Sequence, residues 1–186
     1  MTKQQNKKLA KKNNRLIQIV TGIVVLAFIA LMMSDYFIPK TNNPVRPTKI
    51  NEQRNDLEFK KDGELTFQTK DGSFISTIDL EFAETTKERT QGLMYRTEMK
   101  ENQGMLFIFP EEQMQSFWMH NTVLPLDMIF INSNLEIVTI RKNTKPYDDS
   151  SYASTKPAQY VVEVNAGYTD KFNIKVGDKV VFRRIN

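Results

Sequence analysis

Apolar positions follow two regimes along the chain. From Leu16 to Met33 they run together as LIQIVTGIVVLAFIALMM, fifteen apolar positions in eighteen with no charge. A helix of that length reaches ~27 Å, close to the thickness of a bilayer's hydrocarbon core. Backbone amides in lipid must be paired within their own segment, so this run predicts a helical span. From residue 57 onward the apolar residues fall into short runs. Ile78, Leu80 and Phe82 alternate with Thr77, Asp79 and Glu81, the period of a strand with one face buried. Leu57–Phe59 and Glu64–Thr69 predict a hairpin about Gly63, and Lys70–Ser73 a second turn. Further strands are expected at Met105–Phe109 (stopped by Pro110), Ser116–Met119, Leu126–Ile131, Glu136–Arg141, Tyr160–Val164 and Val180–Arg183. Thr85-Thr86-Lys87-Glu88 reads as a capping box opening a helix to about Tyr95, and Thr169–Phe172 as one helical turn. Many short strands, one helix and no strand–helix–strand alternation predict a mostly β (α+β) domain, an antiparallel sandwich or barrel.

Charge orients the apolar run. Lys3, Lys7, Lys8, Lys11, Lys12 and Arg15 precede it, and no acid occurs before Asp35. This asymmetry keeps the basic end cytoplasmic and sends the C-terminal part across the membrane. Tyr36 and Phe37 stand where an interfacial aromatic belt would sit. Signal cleavage requires small residues at −3 and −1. Cutting after Ala30 places Phe28 at −3, and cutting after Ser34 places Met32 there, so a retained signal anchor is favoured. Without cysteine, lipoprotein processing is excluded. The expected organisation is a basic cytoplasmic tail at 1–15, a transmembrane helix at 16–37, a Pro- and polar-rich flexible linker at 38–56 and a β domain at 57–186. The lipid bilayer is thus a partner of residues 16–37, and the β domain is expected outside the inner membrane, in the periplasm or its equivalent.

Residues 35–186 hold 20 basic and 22 acidic side chains, a balance of −2. The overall +4 belongs to the tail, and nucleic acid is not an expected partner. No metal or cofactor is expected. His120 is the only histidine, which argues against a zinc site and leaves a Ser-His-Asp triad without a nucleophile elbow. Asp127, Asp148, Asp149 and Glu163 could offer oxygen ligands to calcium, but no EF-hand spacing connects them. No phosphate-cradling glycine loop is present.

Two blocks carry a resemblance. One is Arg89-Thr90-Gln91-Gly92-Leu93-Met94-Tyr95-Arg96 with Gly104-Met105-Leu106-Phe107-Ile108-Phe109-Pro110. The other is Phe117-Trp118-Met119-His120-Asn121-Thr122-Val123-Leu124-Pro125-Leu126-Asp127-Met128-Ile129-Phe130. With Val161-Val162-Glu163-Val164-Asn165-Ala166-Gly167 they resemble the DUF192 family, also called UPF0127, over roughly residues 65–183. The resemblance implies a mainly β, jelly-roll-like domain, often behind a signal peptide or anchor. The family is uncharacterised, so it carries over no catalytic role. His120 stands where similar sequences often have Lys, and Tyr147 where they often have Cys.

The candidate binding residues are Arg96, Trp118, Asn121, Asp127 and Glu163. Aromatic faces beside a few fixed polar groups suit amphipathic ligands. The plainer reading makes Phe117–Met119 a core strand and Asn121-Thr122 a turn. Asp127 and Glu163 lie in apolar strands, so each must be paired if it points inward, or its pKa will rise. Arg89 and Arg96 are the expected partners of Asp127, and alternation leaves Glu163 free to face solvent. Three functions follow: a module binding an unknown small ligand or envelope protein, an enzyme using Asp127 or Glu163 as general acid or base, and a purely structural accessory.

Overall fold

A computed structural model describes residues 58–185. The expected tail (1–15), span (16–37) and linker (38–56) lie outside the described residues. Among the described residues no helix is long and apolar enough to cross a membrane.

The elements are β1 (Gly63–Gln68), β2 (Phe74–Ala83), α1 (Thr86–Gln91), β3 (Gln103–Gln113), β4 (Ser116–Phe117), β5 (Leu126–Ile131), β6 (Ile137–Thr144), β7 (Tyr152–Ala153), β8 (Ala158–Asn165), α2 (Tyr168–Lys171) and β9 (Lys179–Arg184). Seven strands form one sheet in the order β6-β5-β8-β3-β2-β1-β9, and β4 pairs with β7 in a small second sheet. The sheet curls until its edges meet. Glu136, just before β6, bridges to Lys179, while Ile137 N donates to Asp178 O (2.8 Å) and Val180 N to Leu135 O (2.9 Å).

The domain is mostly β with short helices and mostly antiparallel, as the pattern predicts, with one parallel pair that the pattern did not foresee. β2 and β3 run parallel, Asp79 opposite Gln103 through Ala83 opposite Phe107. Parallel neighbours require a crossover, and residues 84–102, with α1 among them, supply it. Alternation records which face a residue takes and is silent about which strand lies beside it. The hairpin expected about Gly63 is also corrected: Gly63 opens β1, between β2 and β9. A Cβ at Gly63 would stand 2.5 Å from Arg183 O and 2.6 Å from a Phe82 ring carbon, so this glycine serves close approach of strands. The β1–β2 turn is at Thr69–Ser73, where Gly72 takes φ 91°. β3 runs past Pro110 to Gln113, although its pairing with β8 lapses between Ile108 and Gln113.

Both faces of the sheet carry core. Inside the curl pack Leu65, Phe67, Leu80, Leu106, Ile129 and Val162, closed at one end by Tyr168 of α2. On the outer face Leu93, Met105, Phe107, Met119, Met128 and Phe130 pack beneath the crossover and the 116–125 segment. β5 is therefore buried at all six positions.

Candidate functional site

α1 begins at a complete capping box. Thr85 Oγ1 accepts from Glu88 N (3.2 Å), and Glu88 Oε2 accepts from Thr85 N (2.8 Å) and Glu84 N (2.9 Å). These backbone donors, Thr85 N first, hold the Glu88 carboxyl below its ordinary pKa. The helix stops at Gln91, short of the expected Tyr95, because Gly92 turns to φ 47°. A Cβ at Gly92 would stand 3.1 Å from Phe107 Cζ, so the glycine seats the helix end directly on that ring. The chain then bends through Tyr95 (φ 65°) to Arg96. Tyr95 N donates to Asn121 O (2.9 Å), and Asn121 Nδ2 donates to the Tyr95 hydroxyl (2.7 Å). Asn121 is itself at φ 51°. Two loops in an uncommon backbone region are thereby tied together.

Between α1 and the 115–122 segment lies a cleft of about 270 Å³. Its walls include Phe107, Phe109, Phe117 and Trp118, and Gln115 and Glu163 supply polar groups. Phe117 organises the wall, with its ring edge-on to Phe107 (5.0 Å between centroids, 88°) and to Phe130 (5.9 Å, 90°). Such T-shaped contacts fix ring orientation through the aromatic quadrupole. Trp118 is 52% exposed at the mouth and stacks on His120 (5.0 Å, 28°). His120 Nδ1 is in turn 2.7 Å from Asp149 Oδ1. Arg89 extends over the Phe109 ring (5.1 Å) and donates to the carbonyls of Ile108 (2.9 Å) and Glu84.

Glu163 is the unusual member. Strand pairing sets it opposite Met105 of β3 and Met128 of β5, on the outer face, and it is only 4% exposed. No described residue donates a hydrogen bond or lends a counter-ion to its carboxyl. Burial alone pushes its pKa up to about 8. Desolvation of this kind penalises the charged form.

Asp127 has the opposite surroundings. It sits one residue off Met128, so it points to the inner face, opposite Val164. Its carboxylate accepts from Asn143 N (2.9 Å), Gly167 N (3.2 Å), Thr169 N (3.0 Å) and Thr169 Oγ1 (2.6 Å). Gly167, the N-terminal flank of α2, has no side chain to cap the helix, and Asp127 performs that task from β5. The expected pairing of Asp127 with Arg89 or Arg96 is corrected. Arg96 Nη1 lies 2.5 Å from Glu81 Oε2, both side chains nearly buried. This contact is an ion pair without hydrogen-bond alignment. The other Glu81 oxygen accepts from Lys60 N (2.8 Å).

Of the five residues singled out from the sequence, the fold brings Trp118 and Glu163 into one cleft. Asn121 braces the loops beside it. Arg96 borders a neighbouring hollow of about 330 Å³ that shares Gln91 and Gly92 with the first. Asp127 is sealed on the far face, so the two acids do not converge. Sequence reasoning missed Gln115 and Phe107 as wall residues. Gln115 Nε2 donates to Ala158 O (3.2 Å) from a buried position, and only the unusual polar gap between two aromatic runs hinted at it. The carboxylates considered for calcium are not gathered either: among the described residues no group of three His, Cys, Asp or Glu could hold a metal ion.

The family profile of DUF192, described as "Uncharacterized ACR, COG1430", matches residues 66–182. The chain is 31% identical over 110 residues to the UPF0127 protein PF1050 of Pyrococcus furiosus, covering 58% of this chain and 90% of that protein. It is 28% identical over 108 residues to a UPF0127 protein of Thermococcus sibiricus, covering 57% and 67% respectively. Two crystal structures share the fold at 36% identity. One, from Sinorhizobium meliloti, is described there as a candidate transcription regulator (TM-score 0.63, 67% of this chain and 97% of that one). The other, from Novosphingobium aromaticivorans, is a protein of unknown function (TM-score 0.60, 63% and 83%). With the profile spanning more than half its length, the chain belongs to the DUF192 family, also called UPF0127.

Proposed function

We propose that this protein is an envelope protein anchored by residues 16–37, whose DUF192 domain binds a small ligand in the cleft above Glu163. One observation carries the binding role: a carboxyl that receives no hydrogen bond or counter-ion from the described residues forms part of an aromatic cleft. Leaving a buried polar group unpaired costs on the order of several kcal/mol. A domain that needed only stability would do as well with an apolar side chain there. The cleft is at the small end of ligand sites, which suits a molecule of a few ring or chain atoms. The anchor reading rests on the uncharged apolar run and the six cations before it. It places residues 1–15 in the cytoplasm, residues 38–56 as a tether and the domain beyond the membrane.

Trp118 is the chain's only tryptophan and stands at the cleft's mouth, so its emission is a direct reporter. Small amphipathic molecules added to the full-length protein should shift or quench that emission, and Gln115→Ala should weaken the response. No response across chemically diverse molecules would overturn the binding role. Reporter fusions at residue 12 and after Asn186 should lie on opposite sides of the membrane, and a shared side would defeat the anchor. An enzymatic reading is favoured by one feature, the upward-shifted Glu163 acid, which is the property a general acid needs near neutral pH. Turnover lost in Glu163→Gln with ligand binding intact would establish it.

A further inference from the structure

The charges around Glu163 define what its cleft lacks. Its cross-strand neighbours, Met105 and Met128, are apolar. The 115–122 segment lines the cleft with Gln115, Ser116, Phe117, Trp118 and Thr122, none of them titratable. The α1 side adds Thr86, Thr90 and Gln91, also uncharged, and Arg89. Arg89 is committed elsewhere, its Nη1 bonded to the carbonyls of Glu84 and Ile108 and its guanidinium stacked on Phe109. His120 and Asp149 satisfy each other behind Trp118. Among the described residues the cleft thus presents one acid without a counter-ion beside four aromatic rings, and the negative faces of such rings attract cations. An anionic ligand would meet no free positive group among the described residues of the cleft. A hydroxyl would exchange hydrogen bonds with the neutral acid and leave its proton in place, drawing nothing from the ring faces that favour a cation.

We propose that the cleft takes a small organic cation, a primary ammonium on an apolar or aromatic body, with Glu163 as its counter-ion. This rests on the cleft being a binding site at all. The unoccupied acid holds its proton to about pH 8 because it is buried. An entering ammonium keeps its own three protons and displaces that of Glu163, which passes to the buffer. The net change is one carboxylic O–H broken and one ammonium–carboxylate pair formed. Binding and proton release are therefore linked.

Calorimetry on the full-length chain in lipid nanodiscs, with empty nanodiscs as blank, tests this. The probes are benzylammonium and its neutral isostere benzyl alcohol, titrated at pH 6, 7 and 8 in two buffers of different ionisation enthalpy. Benzylammonium affinity should rise about ninefold from pH 6 to 7 and about fivefold from pH 7 to 8, as Glu163 nears its own midpoint, with about one proton released per ligand at pH 6. Benzyl alcohol should bind without that rise. Glu163→Gln should abolish the pH dependence and weaken the cation far more than the alcohol. If that variant does not fold, the pH series on the unaltered chain still decides. Alcohol binding as tightly as the cation at pH 8, or cation affinity flat with pH, would overturn the ammonium assignment and leave the binding site standing. Binding of neither probe would overturn the ammonium assignment, and the binding role itself would fall if the tryptophan emission also stayed silent across chemically diverse molecules.

Discussion

Asp127 and Glu163 are one strand apart, both acidic and both buried, yet the molecule treats them in opposite ways. Asp127 faces inward and receives four hydrogen bonds that join β5 to β6 and to α2. Glu163 faces outward into the aromatic cleft and receives none from the described residues. A buried acid is therefore not in itself a sign of chemistry. The number of donors aimed at it separates an acid that holds the fold from one that lines a cleft without donors among the described residues.

The sharpest way to break this contrast is to remove the saturated acid. Asp127→Ala leaves Asn143 N, Gly167 N, Thr169 N and the Thr169 hydroxyl without their acceptor. It should cost about 4 kcal/mol or more in chemical denaturation, with α2 the first segment to lose hydrogen-exchange protection. A loss under ~1 kcal/mol would mean that water replaces the carboxylate and that the contrast is false. Arg96→Met tests the intermediate case of a paired buried acid. It strands Glu81 and should cost about 3 kcal/mol, while Arg96→Met with Glu81→Leu should recover most of it.

The open acid predicts a pH signature. In the unfolded chain Glu163 ionises near 4.5, whereas in the fold it keeps its proton to about 8. Between those values the folded state binds the extra proton. Stability from this group is thus fully present below about pH 4.5, falls as pH climbs and levels off above about 8. The loss across that window should be on the order of a few kcal/mol, and it should be missing from Glu163→Gln. The smallest expected effect sharpens the comparison most: at about pH 3.5 Glu163→Gln should change stability by under ~0.5 kcal/mol, because there the acid is neutral in both the folded and the unfolded chain and is exchanged for a neutral amide. An equally small change for Asp127→Ala under the same conditions would erase the distinction between the two acids.

Much of this was legible in local chemistry. The Thr85–Glu88 capping box forms, β5 occupies Leu126–Ile131 and α2 is within a residue of its expected turn. Local signals suffice there because the cap, the apolar run and the turn each involve residues near in sequence. The facing of the two acids was not legible. Every position of β5 is buried, so the period-two signal that tells inside from outside is absent where it was needed. The partner of Arg96 was hidden for a related reason. The chain reaches it through Tyr95 at positive φ, and no helical spacing carries through such a bend. Trp118 stood out in the sequence as a possible binding aromatic, and the fold sets it at the mouth of the cleft. Gln115 and Phe107 became visible as wall residues only when the parallel β2–β3 crossover laid α1 over them.

The most direct test is a carbon-13 titration of the Glu163 side-chain carboxyl in the full-length chain, with and without benzylammonium. An acid left without donors should titrate near pH 8 when free and move to markedly lower pH with the cation bound. A midpoint in the ordinary glutamate range without ligand would show that Glu163 is already paired or solvated, and would contradict the account.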